Sequence, residues 1–180
     1  RRNLIDMHIA DSDERFMSEF DPKTYADMME LAQVDTAIVY ASSCLGNCYW
    51  PTKVGHMHQG LKGRDIFGET IGLLKRKNIH TVAYVNYWSR RACLDHPDWQ
   101  MRDAKGRATL EYLWNPGRYG VCCPNSPYRE FFLSHIEELC RDYEFDGVWV
   151  DMVGWFAGVC HCAHCRKRYL HEAGRDFPAV

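Results

Sequence analysis

The chain of 180 residues has no apolar run approaching the roughly 20 residues that cross a bilayer, and no secretory-type leader is expected within these residues. It has no excess of one charge either. Lys and Arg number 22 against 24 Asp and Glu, for a formal net charge of −2. That balance provides no case for nucleic acid or a membrane surface as partner. Low-complexity tracts and solenoid-period repeats are missing, and with 46% hydrophobic residues the composition is that of a folding chain. The stretch Ile9-Ala10-Asp11-Ser12-Asp13 has none of the glycines of a dinucleotide-binding loop, which argues against a nucleotide-binding doubly wound sheet. The chain opens on Arg1-Arg2-Asn3 without an initiator Met, so the natural N-terminus is expected upstream.

What is present in quantity is cysteine. Nine is a high and odd count for this length, whereas secreted disulfide scaffolds are short, loop-rich and even-numbered. Cys160, Cys162 and Cys165 crowd together as Cys-x-Cys-x2-Cys at the start of a helical pattern. Three thiolates at that spacing can meet one ion, and zinc is the usual occupant of a thiolate-rich tetrahedral site. Spacing leaves the fourth ligand open among Cys122, Cys123, Cys93, His161 and His164. A closed four-ligand site is structural, since catalytic zinc keeps an open position. Free thiolates persist in a reducing compartment, so a cytoplasmic location is expected. Cys44, Cys48 and Cys140 are expected as small, partly buried residues.

Short β-type runs alternate with helical patterns. Residues 3–9, 35–41, 79–87 and 147–151 read as strands; 21–33, 63–77, 126–143 and 164–173 read as helices. Asp21 before Pro22 and Ser126 before Pro127 are helix starts, and Gly174 is a stop. Alternation of this kind predicts an α/β fold with a parallel sheet and right-handed crossovers. About four βα units in 180 residues correspond to the N-terminal half of a TIM (β/α)8 barrel, which typically needs about 250 residues. No internal domain boundary stands out. Residues 42–62 and 88–125 are too long for simple connectors, carry many aromatics, and follow strand C-termini, where barrels build their active sites.

The strand Gly147-Val148-Trp149-Val150-Asp151 ends in a carboxylate. Period 2 places Trp149 and Asp151 on one face, and an acid closing an apolar strand needs a partner or a task. Asp6 and His8 likewise share a face of the first strand and suit recognition of hydroxyls.

Taken together these motifs resemble known families. Cys123-Pro124-Asn125-Ser126-Pro127-Tyr128-Arg129 followed by Cys160-x-Cys-x2-Cys resembles the structural zinc site of family 42 β-galactosidases. The resemblance implies Cys123, Cys160, Cys162 and Cys165 as ligands of a structural Zn2+. The acid/base of that family, a Glu preceded by Asn, does not transfer to Val150-Asp151. The rest is similar to the barrel domain called hypothetical glycosyl hydrolase 6 and to the related family 151 α-L-fucosidases. The matching pieces are Asp6-Met7-His8, Tyr49-Trp50-Pro51-Thr52-Lys53-Val54-Gly55 with His58, His96-Pro97-Asp98-Trp99, Arg102-Asp103-Ala104-Lys105-Gly106 and Asp146-Gly147-Val148-Trp149-Val150-Asp151. Relatives often carry His-Gly before the Tyr-x-Pro-Thr-Lys segment, where this chain has Leu45-Gly46-Asn47-Cys48. The resemblance implies retaining hydrolysis of a glycosidic bond, with Asp151 as nucleophile at the end of the fourth strand and no organic cofactor. Candidate carbohydrate contacts are Asp6, His8, Tyr49, Trp50, Lys53, His58, Trp88 and Trp155. Residues 1–180 are then one part of a catalytic barrel. The second carboxyl is expected beyond Val180, the chain alone is expected to be inactive, and the full-length protein is expected to form homo-oligomers. Two other readings stand beside this one. Asp6-x-His8 with a later strand-end Asp allows a metal-dependent hydrolase of the amidohydrolase type, and the aromatic loops allow a non-catalytic, zinc-stabilised carbohydrate-binding barrel.

Overall fold

The structure, a computed structural model, describes residues 1–154 and 158–178. In chain order its elements are β1 (Arg2–Leu4), α1 (Pro22–Leu31), β2 (Thr36–Tyr40), β3 (Asn47–Cys48), β4 (His56–Met57), α2 (Ile66–Arg76), β5 (His80–Asn86), α3 (Arg90–Asp95), α4 (Thr109–Tyr112), α5 (Tyr128–Asp142), β6 (Gly147–Asp151) and α6 (Ala163–Ala173). The main sheet has four parallel strands in the order β1-β2-β5-β6, and β3 and β4 form a small parallel pair beside it. This is the α/β half-barrel architecture that the alternation of strands and helices predicts.

Local chemistry sets the boundaries. Asp21 caps α1 by accepting from the backbone N–H of Lys23 and Thr24, with Pro22 in the first turn. Cys162 takes the cap position of α6, and Gly174 stops that helix at φ 61°. The first strand is shorter than its sequence pattern suggests. Beyond Leu4 the chain leaves the ladder, and the Tyr49 hydroxyl donates to the Met7 carbonyl and lies 3.3 Å from the Ile9 amide, which donates to it. A side chain there takes the place of a strand neighbour. Of the two long connections, residues 88–125 contain α3 and α4, and residues 42–62 contain β3 and β4.

Period 2 divides the strands into two faces. Ala37, Val39, Ala41, Ala83 and Val85 share a core with Met29, Phe67, Leu74, Phe132 and Leu139 of the helices. Ile38, Tyr40 and Tyr84 face the other way, with Met7 and Tyr49. β6 lies at the sheet edge, and Val148, Trp149 and Val150 are exposed there. Cys44 and Cys48 are buried, whereas Cys140 is exposed on α5 and departs from the expectation.

One core group makes stability depend on acidity. Burial pushes His135 down to about 4, against the smaller opposing effect of Glu138. Its Nε2 lies 3.2 Å from Cys48 Sγ, and burial pushes that thiol up, so the S–H donates to a neutral ring. The unfolded ring titrates near 6.5 and binds the extra proton first. This contribution is therefore complete above about pH 6.5 and is lost as pH falls toward 4. Urea unfolding at pH 4 is expected to give about 3 kcal/mol less stability than at pH 7, with a smaller difference in His135→Gln. Equal stability at the two pH values would count against a neutral buried ring.

Candidate active site

The C-terminal ends of the four main strands and the chain after β1 meet around a cavity of about 400 Å³. Its lining includes Asp6, His8, Tyr40, Tyr84, Trp149 and Asp151. The strand period accounts for the membership: Ile38 and Tyr40 on β2, Tyr84 on β5, and Trp149 and Asp151 on β6 all project from the face opposite the helices. Arg118 and Tyr119, from the long connection between β5 and β6, complete the wall.

The polar groups form one network. The Tyr84 hydroxyl donates to Asp151 Oδ2 at 2.5 Å. The Tyr84 and Tyr40 rings are stacked at 3.9 Å, and the Tyr40 hydroxyl donates to Asp6 Oδ1 at 3.0 Å. His8 lies between them, with Nε2 3.3 Å from the Tyr40 hydroxyl and 3.5 Å from that of Tyr84. The Cys44 amide donates to His8 Nδ1 at 3.1 Å. Burial lowers His8 from its ordinary value, with Asp6 opposing and Arg118 assisting. Burial, and then the bond to Asp151, holds Tyr84 well above the ordinary phenol range. Arg118 faces Asp6 Oδ2 at 3.8 Å and lies over the Tyr119 ring. Hydrogen bonds to a charged group contribute about 1.5–3 kcal/mol each, enough to hold an acid at the mouth of an apolar strand.

Several expected contacts do not line this cavity. Trp50 is buried against α5, where its Nε1 donates to Glu138 at 3.0 Å. The Thr52 hydroxyl and the Lys53 amide donate to the same carboxylate at 2.5 and 2.7 Å, which turns the Trp50–Lys53 segment away from the sheet mouth. Burial works to raise Glu138, but Thr52, Lys53 and Trp50 outweigh it and hold the carboxyl below its usual range. Tyr49 is occupied by Met7 and Ile9. His58 is buried, accepting from Gly60 N at Nδ1 and meeting the Ala10 carbonyl at Nε2. Trp88 is buried between Trp114, Tyr119 and the cysteine-rich core. These five positions are thus buried supports or, for Lys53, an exposed side chain on the far side. Trp155 lies outside the described residues. Tyr40, Tyr84, Asn86 and Arg118 went unnamed in the sequence, although alignment of the β2 and β5 ends with Asp151 by period 2 would have found the tyrosines.

A second polar cluster lies beyond β6. Cys123, Cys160, Cys162 and Cys165 are buried, and their Sγ atoms all lie within 4.8 Å of one another. A tetrahedron with metal–sulfur bonds of about 2.3 Å has edges of about 3.8 Å, so the four sulfurs fit one ion. Asn125 donates to Cys165 Sγ through Nδ2 at 3.2 Å and to Cys123 Sγ through its amide at 3.4 Å, as donors around ligating thiolates do. Arg168 anchors Asn125 Oδ1 at 2.7 Å. Among the described residues this is the single group of three or more potential metal ligands. At His8 both ring nitrogens already have partners, Cys44 on one side and the tyrosine hydroxyls on the other, which disfavours a metal between His8 and Asp151.

Comparison with known proteins bears on the fold and the family. The chain superposes on alpha-L-fucosidase isoenzyme 2 from Paenibacillus thiaminolyticus with a TM-score of 0.85 and 26% identity, covering 98% of this chain and 26% of that one. The fucosidase of Thermotoga maritima matches with a TM-score of 0.55 and 21% identity over 76% of this chain and 29% of its own. The family GH29 alpha-L-fucosidase of Bacteroides thetaiotaomicron matches at 0.53 and 19% over 74% and 27%. The last two likenesses concern the fold alone. The chain spans between a quarter and a third of the length of these proteins. No curated protein sequence matches it significantly. No helix among the described residues is long and apolar enough to cross a membrane. The family described as hypothetical glycosyl hydrolase 6 matches residues 21–152, which takes in α1, every strand from β2 to β6, and Asp151. The chain is a member of that glycosyl hydrolase family.

Proposed function

We propose that this chain supplies the nucleophile half of a retaining glycosidase site that accepts an α-L-fucoside, with Asp151 as the nucleophile. The observation that carries the proposal is Asp151 at the C-terminal end of β6, opening into the cavity with one oxygen bonded to Tyr84. The likeness to the Paenibacillus fucosidase supports the sugar class. In the first step an Asp151 oxygen bonds to the anomeric carbon, and the bond to the leaving oxygen breaks. A second carboxyl about 5–5.5 Å away protonates that oxygen. Water then attacks the same carbon, the ester to Asp151 breaks, and the second carboxyl takes the water proton. Asp6, bonded to Tyr40 and facing Arg118, is set to accept sugar hydroxyls, and Trp149 offers an apolar face. The second carboxyl comes from another part of the full-length protein, and the chain alone does not turn over.

We also propose that Cys123, Cys160, Cys162 and Cys165 hold a Zn2+ that supplies cross-linking between the segment before α5 and the start of α6, and no chemistry.

The test of Asp151 is covalent trapping. Full-length protein treated with a 2-fluoro-fucosyl fluoride is expected to gain one fluorofucosyl mass on the peptide carrying Asp151. Labelling of a different carboxylate would overturn the assignment.

A further inference from the structure

The groups around Tyr84 direct its proton to Asp151: Asn86 Nδ2 and a neutral His8 Nε2–H can only donate, and the Tyr40 hydroxyl is a weaker acceptor than the carboxylate at 2.5 Å. The Trp88 amide donates to Asn86 Oδ1 at 2.9 Å, which fixes the amide so that Nδ2 points at the Tyr84 oxygen, 3.0 Å away. Asn86 is buried and cannot turn without stranding the Trp88 N–H. On the other side, Cys44 N–H occupies His8 Nδ1, so the proton of the neutral ring resides on Nε2. That Nε2–H faces the oxygens of both Tyr40 and Tyr84. A phenol oxygen has two lone pairs and one proton. At Tyr84 one lone pair meets Asn86 Nδ2, the single His8 Nε2–H is shared between the two phenol oxygens, and the phenol proton goes to Asp151 Oδ2. The same logic sends the Tyr40 proton to Asp6.

We propose that Tyr84 is the positioning residue of Asp151, its donation to Oδ2 enforced by Asn86 and by the tautomer of His8, so that Oδ1 is the oxygen presented to the sugar. The inference rests on the assignment of Asp151 as nucleophile and extends it to the atom that attacks. A carboxylate oxygen tied to a fixed donor is a poorer nucleophile than its free twin, and a carboxylate held by one oxygen keeps one orientation. Tyr84 touches no reacting atom and acts through Asp151. The charged or titratable groups that line the same cavity among the described residues are Asp6, His8, Tyr40, Arg118 and Tyr119.

Two measurements test this. In the full-length enzyme Tyr84→Phe is expected to lower kcat about 10- to 100-fold, with KM changed less than about threefold. Asn86→Asp keeps an acceptor for Trp88 but presents a second acceptor to the Tyr84 proton, and is expected to lower kcat in the same way. Tyr84→3-fluorotyrosine retains the donor and is expected to stay within about threefold of the parent. A loss confined to KM, or none in Tyr84→Phe, overturns the proposal. Proton NMR of the 180-residue chain provides the second readout and needs no turnover. A low-field hydroxyl resonance is expected, lost in Tyr84→Phe and in Asp151→Ala and moved in Asn86→Asp. Its absence from the unsubstituted chain, or its persistence in Asp151→Ala, overturns the assignment of the proton. Failure of the nucleophile assignment is distinguishable, because it would appear as turnover surviving in Asp151→Asn with the resonance unchanged in the parent.

Discussion

Asp151→Asn in the full-length protein is expected to cut kcat at least about 10^4-fold, a loss of about 5.5 kcal/mol of transition-state stabilisation. Asn is nearly isosteric and can still accept from Tyr84, so the 2.5 Å contact and the wall of the cavity survive while the nucleophile is lost. Unchanged circular dichroism beside vanished turnover therefore separates a chemical defect from a folding one. Asp151→Ala extends the test, since a small cavity opens where the carboxylate stood. Azide can enter it and attack the anomeric carbon from the face Asp151 used, giving a glycosyl azide. Rescue by azide with that product is expected of a nucleophile. Turnover within tenfold of the parent in Asp151→Asn would falsify the assignment.

Loss of the ion bound by the four cysteines is expected to have the next largest effect. Purified chain should contain one Zn2+ by elemental analysis. Removal by a strong chelator, or Cys160→Ser, is expected to lower stability by at least about 4 kcal/mol, the contribution of a ligand present at a thousand times its dissociation constant. For a domain of this size that corresponds to a fall in Tm of about 8–16 °C. The physical reason is the separation of the ligands. Cys123 precedes α5 and the other three follow β6, so one ion closes a long loop of chain around a helix and a strand. Without it, four thiols stay buried within 4.8 Å of one another with no bond joining them. Proteolysis after chelation should begin in the segment from Gly158 to Cys165. Full retention of Tm without metal would show that the cluster is merely packed cysteine.

The parts of this site legible in the sequence were those written locally. Asp151 ends an apolar strand with period 2, and three of the four clustered cysteines fall within six residues, so position along the sequence already implied position in space. Asp21 and Gly174 announced helix ends through the chemistry of single residues. What the sequence concealed was which way a loop side chain turns. Trp50 and Lys53 have the composition of a sugar platform, yet a carboxylate on α5 holds that segment from behind. Tyr84 looked like one more apolar strand residue, because its partners His8 and Asp151 are 76 and 67 positions away. The shortened β1 has the same cause, a distant hydroxyl on Tyr49 satisfying backbone that a strand neighbour would otherwise pair.

Glu138 has one more consequence, for the order of folding. Its bonds to Trp50, Thr52 and Lys53 span 85 to 88 residues. The Trp50–Lys53 part of the connection after β2 is therefore expected to be fixed only when α5 docks. Tyr49, at the head of that connection, in turn steadies Met7 and Ile9 on either side of His8. The mouth of the sheet thus depends on the docking of an outer helix, and a lesion at Glu138 is expected to slow its formation while the scaffold stays intact.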